Sequence, residues 1–482
     1  MKRTAILLIL IIHGLLVLAA KKPKRPNIIL VMSDDQGWGQ TGYNNHPILK
    51  TPNLDKMAEN GLRFNRFYAG APVCSPTRAS VLTGRSNDRT GVYSAGYAIC
   101  KQEKTIAQAL KNAGYKTAIF GKWHLDGLRG PGVPILASDE RNPGKFGFDE
   151  WLSVSNFFDI DPIMSHKGEF MEMKGESSHI IVNEALRYIE KEKDQEKPLF
   201  VVIWYGSPHA PWRADDKDKK PFGNLDEKAQ NHYGELVSMD SSIGDLRNGL
   251  RSMKIEENTL VWFNSDNGGL PNLGPETVGG LRGYKGKIYE GGLRVPCIIE
   301  WPAGIKKSHI TDYPASTMDI FPTIADLVDL PESNMILPVD GTSILKLFTK
   351  DLKTRVKPIP FRHMGKAAIV DNNYKLISLD ISKNEFELYD LVKDPNETNN
   401  IIDKEKEIAS RMLEVFTAWN QSVEASVAGK DFPNGLTEPN GYNVQWNTLP
   451  EYEPYFEQWK NRPEYQSTLK NGNQVSPENS EQ

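Results

Sequence analysis

Residues 27–35 read NIILVMSDD, an unbroken apolar run from Ile28 to Met32 that ends in two carboxylates. A short apolar run without alternation suits a strand buried on both faces of a largely parallel sheet. PLFVVIWYGS (198–207) and TLVWFNSDNG (259–268) repeat the design, and YKTAIFG (115–121) supplies another strand. Helical patterns lie between them. TPNLDKMAENG (51–61) has Thr51 to cap, Pro52 at the first helical position and Gly61 to stop it. TIAQALKNAG (105–114), SSHIIVNEALRYIEKEK (177–193) and ELVSMDSSIGDLRNGLRSM (235–253) follow. Strands alternating with helices predict an α/β fold, a large mixed and mostly parallel sheet flanked by helices on both faces.

In such a fold ligands bind beyond the carboxyl ends of the strands. Asp34 and Asp35, His209, and Asp266 and Asn267 each fall just past a predicted strand end. Three distant segments are therefore expected to deliver polar groups to one edge of one sheet.

From about residue 355 the pattern changes. AAIVDNNYKLISL (367–379) and NEFELYDLVKD (384–394) read as strands of a smaller antiparallel sheet, with a helix around 404–419 to cover it. The expected organisation is a signal peptide at 1–20, a catalytic part at 26–350, a small C-terminal α+β domain at 355–425, and a polar, partly disordered tail at 428–482.

The 482 residues carry 58 Lys and Arg against 62 Asp and Glu, a net charge of -4. That balance offers no basic footprint for nucleic acid, but it leaves room for a local basic pocket. Residues 1–20, MKRTAILLILIIHGLLVLAA, pair a basic start with an apolar stretch and small residues at its end. This is the layout of a secretory signal, and the apolar run is short for a membrane span. Export to the periplasm or the exterior is expected, without stable membrane insertion of the mature protein; the alternative is an uncleaved anchor. Of three cysteines, Cys74 stands apart by its context, and Cys100 and Cys297 are left to pair or to stay as buried thiols.

That context is PVCSPTRASVLTGR (72–85), with Cys74, Pro76 and Arg78 in a C-x-P-x-R pattern. It resembles the first signature of the type I sulfatases, in which this Cys is oxidised to formylglycine. GYKTAIFGKWH (114–124) resembles the second signature, with Phe120 where a small or aliphatic residue is usual. SDDQGWG (33–39) and NSDNGG (264–269) resemble the family's metal-binding loops. SPHAPW (207–212) and RGYKGKIYEGG (282–292) resemble its remaining pocket segments, Lys285 being the matching lysine rather than Lys287. STMDIFPT (316–323), VDGTSIL (339–345) and ELYDLVKDPNETNN (387–400) carry the likeness to about residue 400.

The resemblance implies an alkaline-phosphatase-like fold and hydrolysis of sulfate monoesters. The chemistry explains the modification. A serine sulfate would be as stable as the substrate, whereas one oxygen of a hydrated aldehyde attacks sulfur and the other later expels sulfate. A helix N-terminus at Cys74 would favour the anionic oxygens. By resemblance Lys122 holds sulfate or formylglycine oxygens, Lys285 and His209 contact the sulfate and the leaving oxygen, Arg78 is the signature's catalytic-site arginine, His124 takes the proton in the elimination, and His209 protonates the leaving alcohol. Asp34, Asp35, Asp266, Asn267 and the modified Cys74 would bind the metal. An oxygen-rich set points to Ca2+, with Mg2+ the alternative. The implied partners are a sulfated saccharide or other sulfate ester and a formylglycine-generating maturation enzyme. Two competing readings are a phosphodiesterase or phosphonate hydrolase of the same superfamily, and a non-catalytic glycan-binding homologue.

Overall fold

In a computed structural model, which describes residues 25–470, the segment that opens at Asn27 is a strand, Asn27–Ser33, well inside an eleven-stranded sheet. It runs parallel to Leu199–Trp204 on one side and to Thr259–Ser265 on the other. Lys116–Lys122 and Glu150–Val154 extend the parallel part. Arg294–Glu300 lies antiparallel between Thr259–Ser265 and Leu62–Tyr68, and an antiparallel hairpin, Ile163–His166 with Glu169–Glu172, forms the far edge.

The apolar run has a direct cause. Ile28, Leu30 and Met32 enter one core, Ile29 and Val31 the other, as the period of two in a strand requires. The first core is completed by helices Cys74–Thr83, Ile106–Asn112 and Ile320–Leu327, the second by Pro52–Asn60, Ser177–Glu192 and Glu227–Ser252. A polar residue anywhere in the run would lie unsatisfied between two apolar layers. Each full aliphatic burial contributes roughly 1.5–3 kcal/mol. Thr105 and Gln108 close the start of Ile106–Asn112 as a reciprocal capping box. Phe120 belongs to the second core and packs against Tyr188, so its departure from the signature is absorbed by packing.

A four-stranded antiparallel sheet follows, Ile359–His363, Lys366–Asp371, Tyr374–Ser378 and Glu387–Asp390. Ala367, Ile369, Leu376 and Leu388 meet Ala409, Met412 and Phe416 of helix Lys406–Val427. The other face, with Ala368, Val370 and Ile377, packs on Tyr68, Leu293 and Met318 next to the large sheet.

Among the tail residues, Trp446, Tyr452, Trp459 and Tyr465 are buried and share a cluster with Leu128, Val133 and Ile163. The terminal stretch 471–482 and the expected signal at 1–20 lie outside the described residues. Cys74, Cys100 and Cys297 are buried free thiols, so Cys100 and Cys297 are not joined. Among the described residues no helix is long and apolar enough to cross a membrane.

Candidate active site

Neighbouring parallel strands put the carboxylates together. Ser33 is in register with Ser265, so Asp34 and Asp35 leave one strand beside Asp266 and Asn267 leaving the next. The Asp35 N–H donates to Asp266 Oδ1 at 3.1 Å, and Asn267 Nδ2 donates to Asp35 Oδ1 at 2.8 Å. On the other side of Asn27–Ser33, the strand Leu199–Trp204 leads to His209, and the next, Lys116–Lys122, ends on Lys122 with His124 two residues on. Asp35 and His124 both hold left-handed backbone, φ 65° and 54°, a cost that tends to be kept where side chains must be aimed. Gly121 also has positive φ, and a Cβ there would meet the Trp204 carbonyl at 1.9 Å, so this turn into Lys122 requires glycine.

Cys74 is the first residue of helix Cys74–Thr83 and is 1 % exposed. One turn on, Arg78 turns back under the site. Its guanidinium donates to Asp266 Oδ2 at 3.0 Å, to Asp34 Oδ2 at 3.3 Å and to the Lys122 carbonyl at 3.2 Å, and lies over the Trp204 ring. The Lys122 ammonium pairs with Asp34, and Lys285 Nζ donates to Asp35 Oδ2 at 2.8 Å. The Lys285 loop is fixed at both ends of the pocket, Lys285 N–H to Gly269 O and Gly286 N–H to Pro72 O.

His209 Nδ1 lies 2.5 Å from the carbonyl of Ala210, which makes it the protonated nitrogen and leaves Nε2 3.9 Å from Asp35 Oδ2. Its ring stacks on Phe157. Asp34, Asp35 and His209 form a group able to hold a metal ion, their candidate ligand atoms within 4.8 Å of one another. Asp34 Oδ1 and Asn267 Oδ1 are buried with no hydrogen-bond partner, as oxygens reserved for a cation would be. The donor set therefore fits a hard cation. Asp266 is more engaged, holding Arg78 and the Asp35 amide.

The charges respond to this crowding. Burial pushes the Asp34 carboxyl up, but Lys122, His209, Arg78 and Lys285 together hold it well below the ordinary range. Burial and the Asp34 charge raise Asp266 to about 7. Burial, then the positive charge of Lys285, lowers His209 to about 4. Burial, then Lys122, lowers His124 well below the ordinary histidine value. Burial raises the Cys74 thiol.

All ten residues expected at the site thus converge on one strand-end pocket, with their roles a separate matter. Phe157, which stacks on His209, was not anticipated, nor were Asp159 and Arg213, which line the adjoining pocket with it. NFFDIDP (156–162) does begin just past the strand Glu150–Val154, so the rule that ligands bind past strand ends marks it.

Such a layout is that of the alkaline-phosphatase-like α/β hydrolases. Residues 26–330 match the sulfatase family model, and residues 283–421 match the model described as N-sulphoglucosamine sulphohydrolase, C-terminal. With more than half of its length inside the first, the chain belongs to the type I sulfatase family, a family of sulfate-ester hydrolases. N-acetylgalactosamine-6-sulfatase of Canis lupus familiaris is 34 % identical over 366 residues, which cover 68 % of this chain and 66 % of that protein. Arylsulfatase A of Homo sapiens is 30 % identical over 460 residues, 80 % of this chain and 84 % of the relative. A crystal structure of Ps i-CgsB in complex with k-i-k-neocarrahexaose has a TM-score of 0.74 at 24 % identity, over 92 % of this chain and 100 % of that one, a likeness of fold.

Proposed function

We propose that this chain is an exported sulfatase that releases sulfate from sulfated saccharides. The observation that carries the reading is Cys74 at the head of a buried helix, within electrostatic reach of Lys122, Lys285, Asp34 and Asp266, in a pocket that pairs carboxylates with cations. The sequence match at 26–330 supports sulfate rather than phosphate as the ester.

Asp34, Asp35, Asp266 and Asn267 would hold a Ca2+ ion, with Mg2+ the alternative, and the residue at 74 would join them. When bound, the ion would supply Lewis-acid polarisation of a sulfate oxygen. A formylglycine at position 74, made by a maturation enzyme, would supply the nucleophilic oxygen of a hydrated aldehyde. The chain's own groups do the rest. Lys122 and Lys285 receive sulfate oxygens. Arg78, held under the site, keeps the carboxylates of Asp34 and Asp266 in place. His209, with Nδ1–H held by the Ala210 carbonyl, must first take a proton at Nε2, which the negative charge of a bound sulfate favours, and then passes it to the leaving sugar oxygen, while His124 accepts one at position 74. Asp34, Asp35, Cys74 and Lys122 are buried, and the low dielectric around them strengthens each of these interactions.

Export is supported by the basic-apolar-small pattern of residues 1–20. A catalytic part at 26–350 and a C-terminal part at 355–425 are supported by the change from the large sheet to the small one.

The deciding test is a paired assay, sulfate release from an aryl sulfate against phosphate release from the matching aryl phosphate and phosphonate ester, with enzyme co-expressed with a maturase. Preference for the phosphorus ester would overturn the reading, and no turnover of any would favour a binding protein. A saccharide panel should include N-acetylgalactosamine 6-sulfate, following the name of the dog relative.

A further inference from the structure

Beside His209 the surface opens into a pocket enclosing about 650 Å3, the solvent at its mouth included. Of this, about 180 Å3 is cavity proper, less than the roughly 300–1,000 Å3 of enclosing ligand sites, so the pocket is a cleft that would hold part of a saccharide and leave the rest in solvent. Phe157 lines it and stacks on the His209 ring, centroids 5.0 Å apart and planes 9° from parallel. The pocket therefore begins one ring away from the group assigned to the leaving oxygen, and a leaving group larger than a phenol extends into it.

Its polar groups are unspent. Arg213 lines the wall and is exposed, and among the described residues its guanidinium makes no hydrogen bond or ion pair. Its backbone is nonetheless fixed, because the Arg213 N–H donates to Glu235 Oε1 at 2.6 Å and the Ala214 N–H to Asn231 Oδ1 at 3.1 Å. Its charge is felt by the Asp159 carboxyl, but with no hydrogen bond or ion pair of its own the guanidinium is open to an anion, and its planar fork matches a carboxylate or sulfate through two hydrogen bonds. Across the pocket, Asp159 Oδ1 is buried with no hydrogen-bond partner, an acceptor that a sugar hydroxyl would satisfy. The aromatic wall suits the apolar face of a sugar ring.

The remaining wall comes from the tail. Glu464 and Tyr465 line the pocket, the Tyr465 hydroxyl donates to Gly132 O at 2.8 Å, and Arg462 donates to Asp161 O at 2.5 Å. These residues lie beyond 421, where the second family match ends, so neither family model covers this wall.

We infer that this pocket receives the saccharide carried by the leaving oxygen, that Asp159 takes one of its hydroxyls, and that Arg213 selects for a second anionic substituent on it. The inference rests on the sulfatase reading above. The second anion is either a uronate carboxylate or a further sulfate, and the test separates them.

Three defined sulfated disaccharides are compared that share the scissile sulfate and differ at one substituent: hydroxyl, sulfate or carboxylate. The readout is kcat/KM, or the competitive inhibition constant against nitrophenyl sulfate for any that is not turned over. Wild type should favour one charged disaccharide over the neutral one, and Arg213→Gln should cut that ratio by about tenfold or more, as loss of a charged hydrogen bond does. The disaccharide that responds identifies the anion. A ratio that moves less than twofold, or a wild type that neither cleaves nor is inhibited by the charged disaccharides, overturns the inference. Hydrolysis of nitrophenyl sulfate in the same experiment shows whether the fault lies in the pocket or in the sulfatase reading itself, which would take the pocket with it.

Discussion

Arg78 and Asp266, 188 residues apart in the chain, meet in a fully buried ion pair at 3.0 Å. Arg78 also reaches Asp34, so one guanidinium offsets two carboxylates that adjacent strands force together. Removing one partner of a buried pair leaves an uncompensated charge, which costs about 3–5 kcal/mol. Arg78→Ala should lose about that much unfolding free energy in urea titration. A loss under about 1 kcal/mol would mean that the carboxylates relax without it.

Cys74 should be converted to an aldehyde or its hydrate in active enzyme, as seen by peptide mass spectrometry. Protein made without a maturase should fold, with an unchanged melting temperature, and be nearly inert. An active preparation holding only unmodified cysteine would remove the basis of the mechanism.

The partnerless oxygens of Asp34 and Asn267 predict tight cation binding. Chelation should abolish sulfate release, and Ca2+ or Mg2+ should restore it. Asp35→Asn should lower the metal content measured by elemental analysis. Full activity in metal-free protein would count against this ligand set.

The two histidines should separate. A nitrophenol leaves with little help, whereas a sugar alcohol needs a proton. His209→Ala should therefore slow saccharide desulfation at least tenfold more than nitrophenyl sulfate hydrolysis, and His124→Ala should slow both alike. Because His209 also lies in the group able to hold a metal, metal content is the control. Loss of the ion in His209→Ala, with equal damage to both substrates, would assign the ring to the metal instead.

His363, in the small sheet, predicts acid sensitivity away from the site. Burial, with a smaller contribution from Lys366, lowers its pKa from 6.5 to about 4. The fold thus holds this ring neutral, while the unfolded chain protonates near 6.5. Its stabilising contribution is complete above pH 6.5 and is lost as pH falls toward 4, by up to ~3 kcal/mol. His363→Gln should flatten the fall in urea midpoint over that window. An unchanged slope would place the acid sensitivity elsewhere.

The sequence by itself determined the strands, because an apolar run closed by carboxylates has few other uses, and Ile28 to Met32 do feed two cores. It determined which segments hold the site, since PVCSPTRASVLTGR and the residues after each strand are local patterns. It also marked the small sheet by its alternation. Tertiary structure alone decided the pairings. Strand order set Asp34 beside Asp266, and the turn of a helix set Arg78 beneath both, a contact no spacing encodes. It alone kept Cys100 and Cys297 apart and brought Tyr465 to Gly132 across 333 residues. The physical reason is range. Periodicity, caps and motifs act over a few residues of chain, whereas the partners of a buried charge and the walls of a pocket depend on which distant surfaces packing brings within about 4 Å.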